Sequence, residues 1–232
     1  MTGTIHRLVD SIYEKQQRQR RIELAALQEQ IKPHFIYNAL STVLYEIDSG
    51  QNAQASDMLR SLITFFRLSV NHGNEVCTIA DEIAHAESYL HIQQLRSSRS
   101  FTYGIQADED LLCNEILKFT LQPLVENAIY HGIKVKQQGG TVRIESLLEE
   151  DRLLITVEDD GVGMTPEQLE TILDKKESDA ESTKIGVYNV NERLQLFFGP
   201  DAVMKYYSTP GVRTMVMLVL PIVRGKEEDS HA

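Results

Sequence analysis

From Ile5 to Ile47 the chain contains one proline, Pro33, and no glycine. Leu24, Leu27 and Ile31 keep the 3–4 spacing of an amphipathic helix, as do Ile5, Leu8 and Ile12 further upstream. Between those sets Lys15–Arg21, KQQRQRR, is wholly polar, so residues 1–23 read as a helical coiled-coil lead-in. Pro33 is the constraint on everything near it. Proline inside a helix removes a backbone donor and crowds the carbonyl four residues back, at roughly 3 kcal/mol. The next residue is His34, and Asn38 follows four positions on, hence on the same helical face. A neutral imidazole is a competent nucleophile near pH 7. Two readings stand: a proline-marked helix that presents a reactive histidine, or a proline that starts a second helix with His34 as a surface residue.

At 232 residues the chain holds one large domain or two modest ones. A net charge of −11 weighs against non-specific nucleic-acid binding, which needs a basic face. No apolar run reaches the ~18 residues of a membrane-spanning helix. The longest, Thr214–Val223, is interrupted by Pro221, and Met1–Val9 has no apolar core for a signal peptide. Cys77 and Cys113 fit no metal spacing and point to a reducing compartment. The expected location is the cytoplasm.

Ser49–Gln51 reads as a turn, after which residues 53–70 are helical, with an apolar face of Met58, Leu59, Leu62, Ile63, Phe66 and Val70. Residues 24–75 are therefore expected to form a helical hairpin. A lone hairpin would leave that face wet, so a dimeric four-helix bundle is the economical form. Asn71–Asn74 breaks the helix, and Thr78, followed by Asp81 and Glu82, opens another that runs to Arg96. Beyond it the expected elements are a strand at 100–105, a helix at 119–133, a β-hairpin of 141–148 with 152–158, a helix at 187–197, and a second hairpin of 203–208 with 212–220. The fold class is α+β. Residues 76–225 form an α/β sandwich on a mostly antiparallel sheet, and 226–232 a disordered tail.

Three clusters in this second half carry chemistry. Glu126–Gly132 lies in one helix, Asp159–Gly163 follows a strand, and Lys184–Asn189 is expected to open a helix. An amide oxygen such as that of Asn127 can ligate Mg²⁺. Asp159 can accept a hydrogen bond from the exocyclic amine of a base. Gly161 and Gly163 allow backbone to approach a flat ring, and Gly186 at a helix start would leave N–H groups to face phosphates.

The words QIKPHFIYN, LQPLVENAIYHG, EDDGVGM, GVYNVNERL and LVLP together resemble the cytoplasmic part of a sensor histidine kinase of the LytS/YehU/YesM-like class, over nearly all of Leu24–Val223. The resemblance implies a dimerisation and phosphotransfer hairpin followed by a GHKL (Bergerat-type) ATP-binding domain. It makes His34 the phosphoacceptor and Asn127 the Mg²⁺ ligand. It makes Asp159 the adenine-binding carboxylate and Gly161, Gly163 and Gly186 the nucleotide-loop glycines. His131 and Asn189 join them as cofactor-binding candidates, and Met164–Thr183 becomes a mobile lid. The activity implied is ATP-dependent autophosphorylation of His34, then transfer to an aspartate of a response-regulator receiver domain. The implied assembly is a homodimer, tied to the membrane only through an upstream sensor region absent from this chain.

The sequence also departs from the class. Asn38 matches a position used for dephosphorylating the partner, which implies phosphatase activity. Phe35, as is usual for this class, stands where commoner histidine kinases carry an acid, which leaves Glu29 as a weak candidate base. Tyr130 replaces a phosphate-contacting lysine, for which His131, Lys134 or Arg193 could substitute. Lys184 and Arg213 replace loop glycines, Arg213 being expected to crowd the backbone, and Asp160 adds a charge near the purine. Lys184 and Tyr130 favour a second reading, a non-catalytic dimeric module that binds nucleotide and transmits a signal, whereas the intact His34 and Asn38 disfavour it.

Overall fold

The computed structural model describes residues 33–69, 75–97, 101–136, 138–172 and 182–223. The lead-in at 1–23, the seam at Leu24–Ile31, Glu29, the break at 71–74, residues 173–181 of the expected lid and the tail lie outside the described residues. The chain divides into two compact units, Met1–Ser56 and Asp57–Ala232.

In the first unit, helix α1 spans Pro33–Asp48. Its last turn closes through backbone hydrogen bonds from Ser49 to Tyr45 and from Gln51 to Glu46, with Gly50 in the left-handed region at φ 77°. Helix α2, Asn52–Ser69, follows after a three-residue connection and runs on into the second unit. The helix–turn–helix order expected from the sequence is present. Leu44 and Tyr45 on α1 are more than 60% exposed, as is Ile63 on α2.

The second unit is an α/β sandwich. Strands β1 (Val76–Thr78) and β3 (Glu115–Leu117) form a two-stranded antiparallel ribbon, too short for a sequence period to reveal. The main sheet has strands β2 (Thr102–Ala107), β4 (Thr141–Glu149), β5 (Arg152–Asp159), β6 (Val203–Thr209) and β7 (Arg213–Pro221), in the order β2-β4-β5-β7-β6. Only the β2–β4 pairing is parallel. Two non-glycine residues in the left-handed region, Glu150 and Asp151, make the tight β4–β5 turn.

One face of this sheet forms the core. Val142 and Ile144, Leu153, Ile155 and Val157, and Val216, Leu218 and Leu220 are buried at alternate positions of β4, β5 and β7. Helix α3, Ile79–Arg96, starts as expected: the Thr78 side chain accepts a hydrogen bond from the Asp81 N–H. Helix α4 is Leu121–Asn127 and continues into a π-helical turn, Ala128–Ile133. Helix α5 is Pro166–Thr171, held by a capping box between Thr165 and Gln168, and α6 is Ser182–Phe198. Helix α4 packs between α3 and α6, and its π turn lies on β5.

Candidate functional site

On α1, His34 is exposed and Asn38 half-buried. The Asn38 Nδ2 lies 3.0 Å from Nδ1 and 2.8 Å from Nε2 of the imidazole, so the amide lies against the ring. The i, i+4 pairing read from the sequence is therefore a contact.

In the second unit, a separate cluster forms where β5 ends against the π turn. Asp159, the last residue of β5, is 4% exposed, and its Oδ1 accepts the Gly161 N–H at 2.9 Å. Gly132 is pressed onto that carboxylate: a Cβ on Gly132 would overlap the Asp159 oxygens, and one on Gly161 would overlap the Gly132 backbone. Two segments meet here with no room for a methyl group. In the sequence, Gly132 closes the Glu126–Gly132 cluster without a role of its own. Its close approach to Asp159 is the functional constraint, and a helical pattern alone carries no signal of it.

The Asp159 pKa is raised to about 7, chiefly by burial; the neighbouring Asp160 and Glu158 charges contribute to the rise, while the Gly161 N–H and Lys136 oppose it. Asp160 does not project a loose charge. Its Oδ1 accepts the Thr141 N–H at 2.8 Å, with the Lys136 ammonium 3.7 Å away, and Lys136 also donates to the Asp160 carbonyl at 2.6 Å.

The loop after Asp159 is fastened to the β6–β7 hairpin. Gly163 sits at φ 64°, and a Cβ there would strike the Thr209 carbonyl. Gly211 N–H donates to the Val162 carbonyl at 2.6 Å, and Met164 N–H donates to Ser208 Oγ at 2.8 Å. Thr214 is the register partner of Asp159 across β5 and β7. Arg213 does not crowd this end. Its guanidinium pairs with Glu158 at 3.0 Å, and strand alternation puts Glu158 on the opposite face from Asp159.

Asn127 is half-buried at the junction of α4 with the π turn, and its side chain makes no capping bond there. Such insertions are frequent at functional positions. His131, in the following turn, is exposed. Tyr130 is held by Gln93, whose amide donates to Tyr89 Oη at 2.9 Å and to Tyr130 Oη at 3.1 Å. Lys134 Nζ donates to the same Gln93 at 3.4 Å and lies 4.0 Å above the Tyr130 ring. Arg193 donates to the Lys118 carbonyl at 2.8 Å. Of the cations considered as substitutes at Tyr130, Lys134 is the one placed on its ring.

The third cluster differs from expectation in one respect. Helix α6 begins at Ser182, so Gly186 lies one turn inside it rather than at its start. Gly186 is half-buried, Asn189 is exposed, and Lys184 lies in the first turn. A Cβ on Gly186 would meet only Pro123, at 3.9 Å, so packing does not demand glycine there.

Residues 22–101 match the family model described as histidine kinase, and residues 114–224 the model described as histidine kinase-, DNA gyrase B-, and HSP90-like ATPase. The chain is 31% identical to the sensor histidine kinase YesM of Bacillus subtilis over 95% of its own length and 37% of YesM. It is 32% identical to the sensor histidine kinase BtsS of Escherichia coli over 86% of its length and 33% of BtsS. It is also 32% identical to YwpD of Bacillus subtilis, covering 86% of this chain and 70% of YwpD. The chain thus spans well under half of those two sensor kinases. Among solved structures, the catalytic domain of histidine kinase ThkA covers 64% of this chain with a TM-score of 0.50 at 14% identity, a likeness of fold.

Proposed function

This chain belongs to the sensor histidine kinase family, and on that premise we propose that it autophosphorylates His34 from ATP and passes the phosphoryl group to an aspartate of a response-regulator receiver domain. The observation that carries the reading is the closure of Gly132 and Gly161 around the Asp159 carboxylate. It leaves a buried acceptor at a strand end, beside backbone that a flat ring can approach. In this reading Asp159 accepts the adenine amine, Gly161 and Gly163 shape the loop beside the ring, and Gly186 and Asn189 face the phosphates from α6.

Asn127 offers the amide oxygen that suits magnesium, with His131 and Lys134 next to it on the phosphate side. Bound there, magnesium would offset charge on the β- and γ-phosphates. His34 supplies a nitrogen lone pair: an N–P bond forms, the bond from the γ-phosphorus to the bridging oxygen breaks, and ADP leaves. The contact with Asn38 steadies the ring and places an amide where it can orient water during dephosphorylation of the partner. No helix of the described residues is long and apolar enough to cross a membrane. We place this part in the cytoplasm, below a membrane sensor region, and assign the exposed apolar face of α1 and α2 to homodimerisation and regulator docking.

The test uses Mg·ATP labelled on the γ-phosphate, with wild type beside His34→Gln. Acid-labile, alkali-stable label on wild type alone is the expected result. Absence of label with ATP binding intact would favour the non-catalytic signalling module instead.

A further inference from the structure

Glu82 lies in the first turn of α3 and is 3% exposed. Its carboxylate is committed to a distant segment. Oε1 accepts the Phe119 N–H at 2.6 Å, and Oε2 accepts the Thr120 and Leu121 N–H groups, both at 3.0 Å. These three successive donors open α4. A helix start usually satisfies such donors with its own capping side chain. Here the Thr120 hydroxyl turns away to donate to the Leu117 carbonyl at 2.7 Å, and Thr120 caps nothing. Phe119 adopts φ 56°, a left-handed conformation that is uncommon without glycine. That turn brings the three N–H groups onto one carboxylate.

We propose that Glu82 is a positioning residue for the magnesium–nucleotide site, because it sets where α4 begins and so where Asn127 ends. The inference rests on the reading of Asn127 as the magnesium ligand. Asn127 lies six positions beyond Leu121, roughly 9 Å along a helix axis. A tilt of about 10° at the start would move the Asn127 amide by ~1.5 Å, more than octahedral magnesium coordination tolerates. The adenine end is fastened separately, through Gly132, Gly161 and Asp159, so loosening the start of α4 affects the two ends unequally.

The full chain is titrated with ATP by calorimetry, with magnesium and with EDTA, as wild type, Glu82→Gln and Glu82→Asp. The Gln variant puts an amide donor against backbone donors, and the Asp variant is one methylene too short to reach all three. The expected result is Mg·ATP affinity reduced on the order of tenfold in the folded variants, with metal-free ATP affinity changed far less. Equal Mg·ATP affinity, or equal loss with and without magnesium, would reduce Glu82 to a stability role and overturn the inference. If neither variant folds, hydrogen exchange on wild type decides. Amides 119–121 gaining protection with 122–127 on Mg·ATP addition supports the inference, and independent behaviour overturns it. Wild type that binds no nucleotide overturns the site reading and this inference together. Wild type that binds while the variants bind equally overturns this inference alone.

Discussion

Gly132 and Asp159 are 27 positions apart, and the backbone of one rests against the carboxylate of the other with no space for a methyl group. The contact joins the π turn after α4 to the end of β5. It holds the Asp159 carboxylate away from water and gives it a single fixed donor in Gly161 N–H.

Gly132→Ala tests that contact. Overpacking of this kind costs roughly 1–3 kcal/mol. The expected outcome is a lower urea midpoint together with loss of ATP binding by calorimetry. A variant with wild-type ATP affinity would remove Gly132 from the site.

Asp159→Asn tests the charge. The folded-state pKa of about 7 lies above the ordinary 3.8, so the folded chain holds the proton more tightly than the unfolded one. The associated stability is present below about pH 4 and is lost as pH rises to about 7, by up to about 4 kcal/mol. The Asn variant lacks this loss. It should unfold at a higher temperature than wild type at pH 8, with the gap closing toward pH 4, while ATP affinity falls.

His85 gives the opposite pH dependence. Its ring is buried, stacks on Phe65 at 4.5 Å and contacts Ser69 Oγ through Nε2 at 2.9 Å. Burial lowers its pKa to about 4 from 6.5. Its contribution is present above pH 6.5 and is lost as pH falls toward 4, about 3 kcal/mol in all. His85→Phe should flatten the acid limb of a urea-midpoint profile between pH 7 and pH 4.

Arg213→Gly should leave ATP affinity within about twofold of wild type, because the side chain pairs with Glu158 on the other face of the sheet. The expected cost is about 1 kcal/mol of stability, from an exposed ion pair and a glycine placed in a strand. A large gain in ATP affinity would show that Arg213 does obstruct the loop.

Asn38→Ala should retain Mg·ATP binding and label on His34, because the imidazole nitrogens remain. A phosphorylated regulator incubated with this variant should lose its phosphate more slowly than with wild type. Equal rates would leave Asn38 with no part in dephosphorylation.

Local chemistry made much of this legible in the sequence. The 3–4 spacing of α2, the Thr78 cap of α3 and the alternation of β4, β5 and β7 each follow from residues close in the chain, whose period declares the element. His34 and Asn38 meet because they are one helical turn apart. The motif words of the ATP-binding half were readable because they are contiguous. What tertiary structure alone decided depends on residues far apart. Glu82 receiving N–H groups from residues 119–121, Gly132 closing on Asp159, and Gln93 reaching Tyr130 and Lys134 have no periodic signature. The direction of Arg213 depended on strand register, since a shift of one residue would have turned it to the other face. Patterns of burial are written along the chain, whereas the partner of a buried polar group is settled only when the chain folds back on itself.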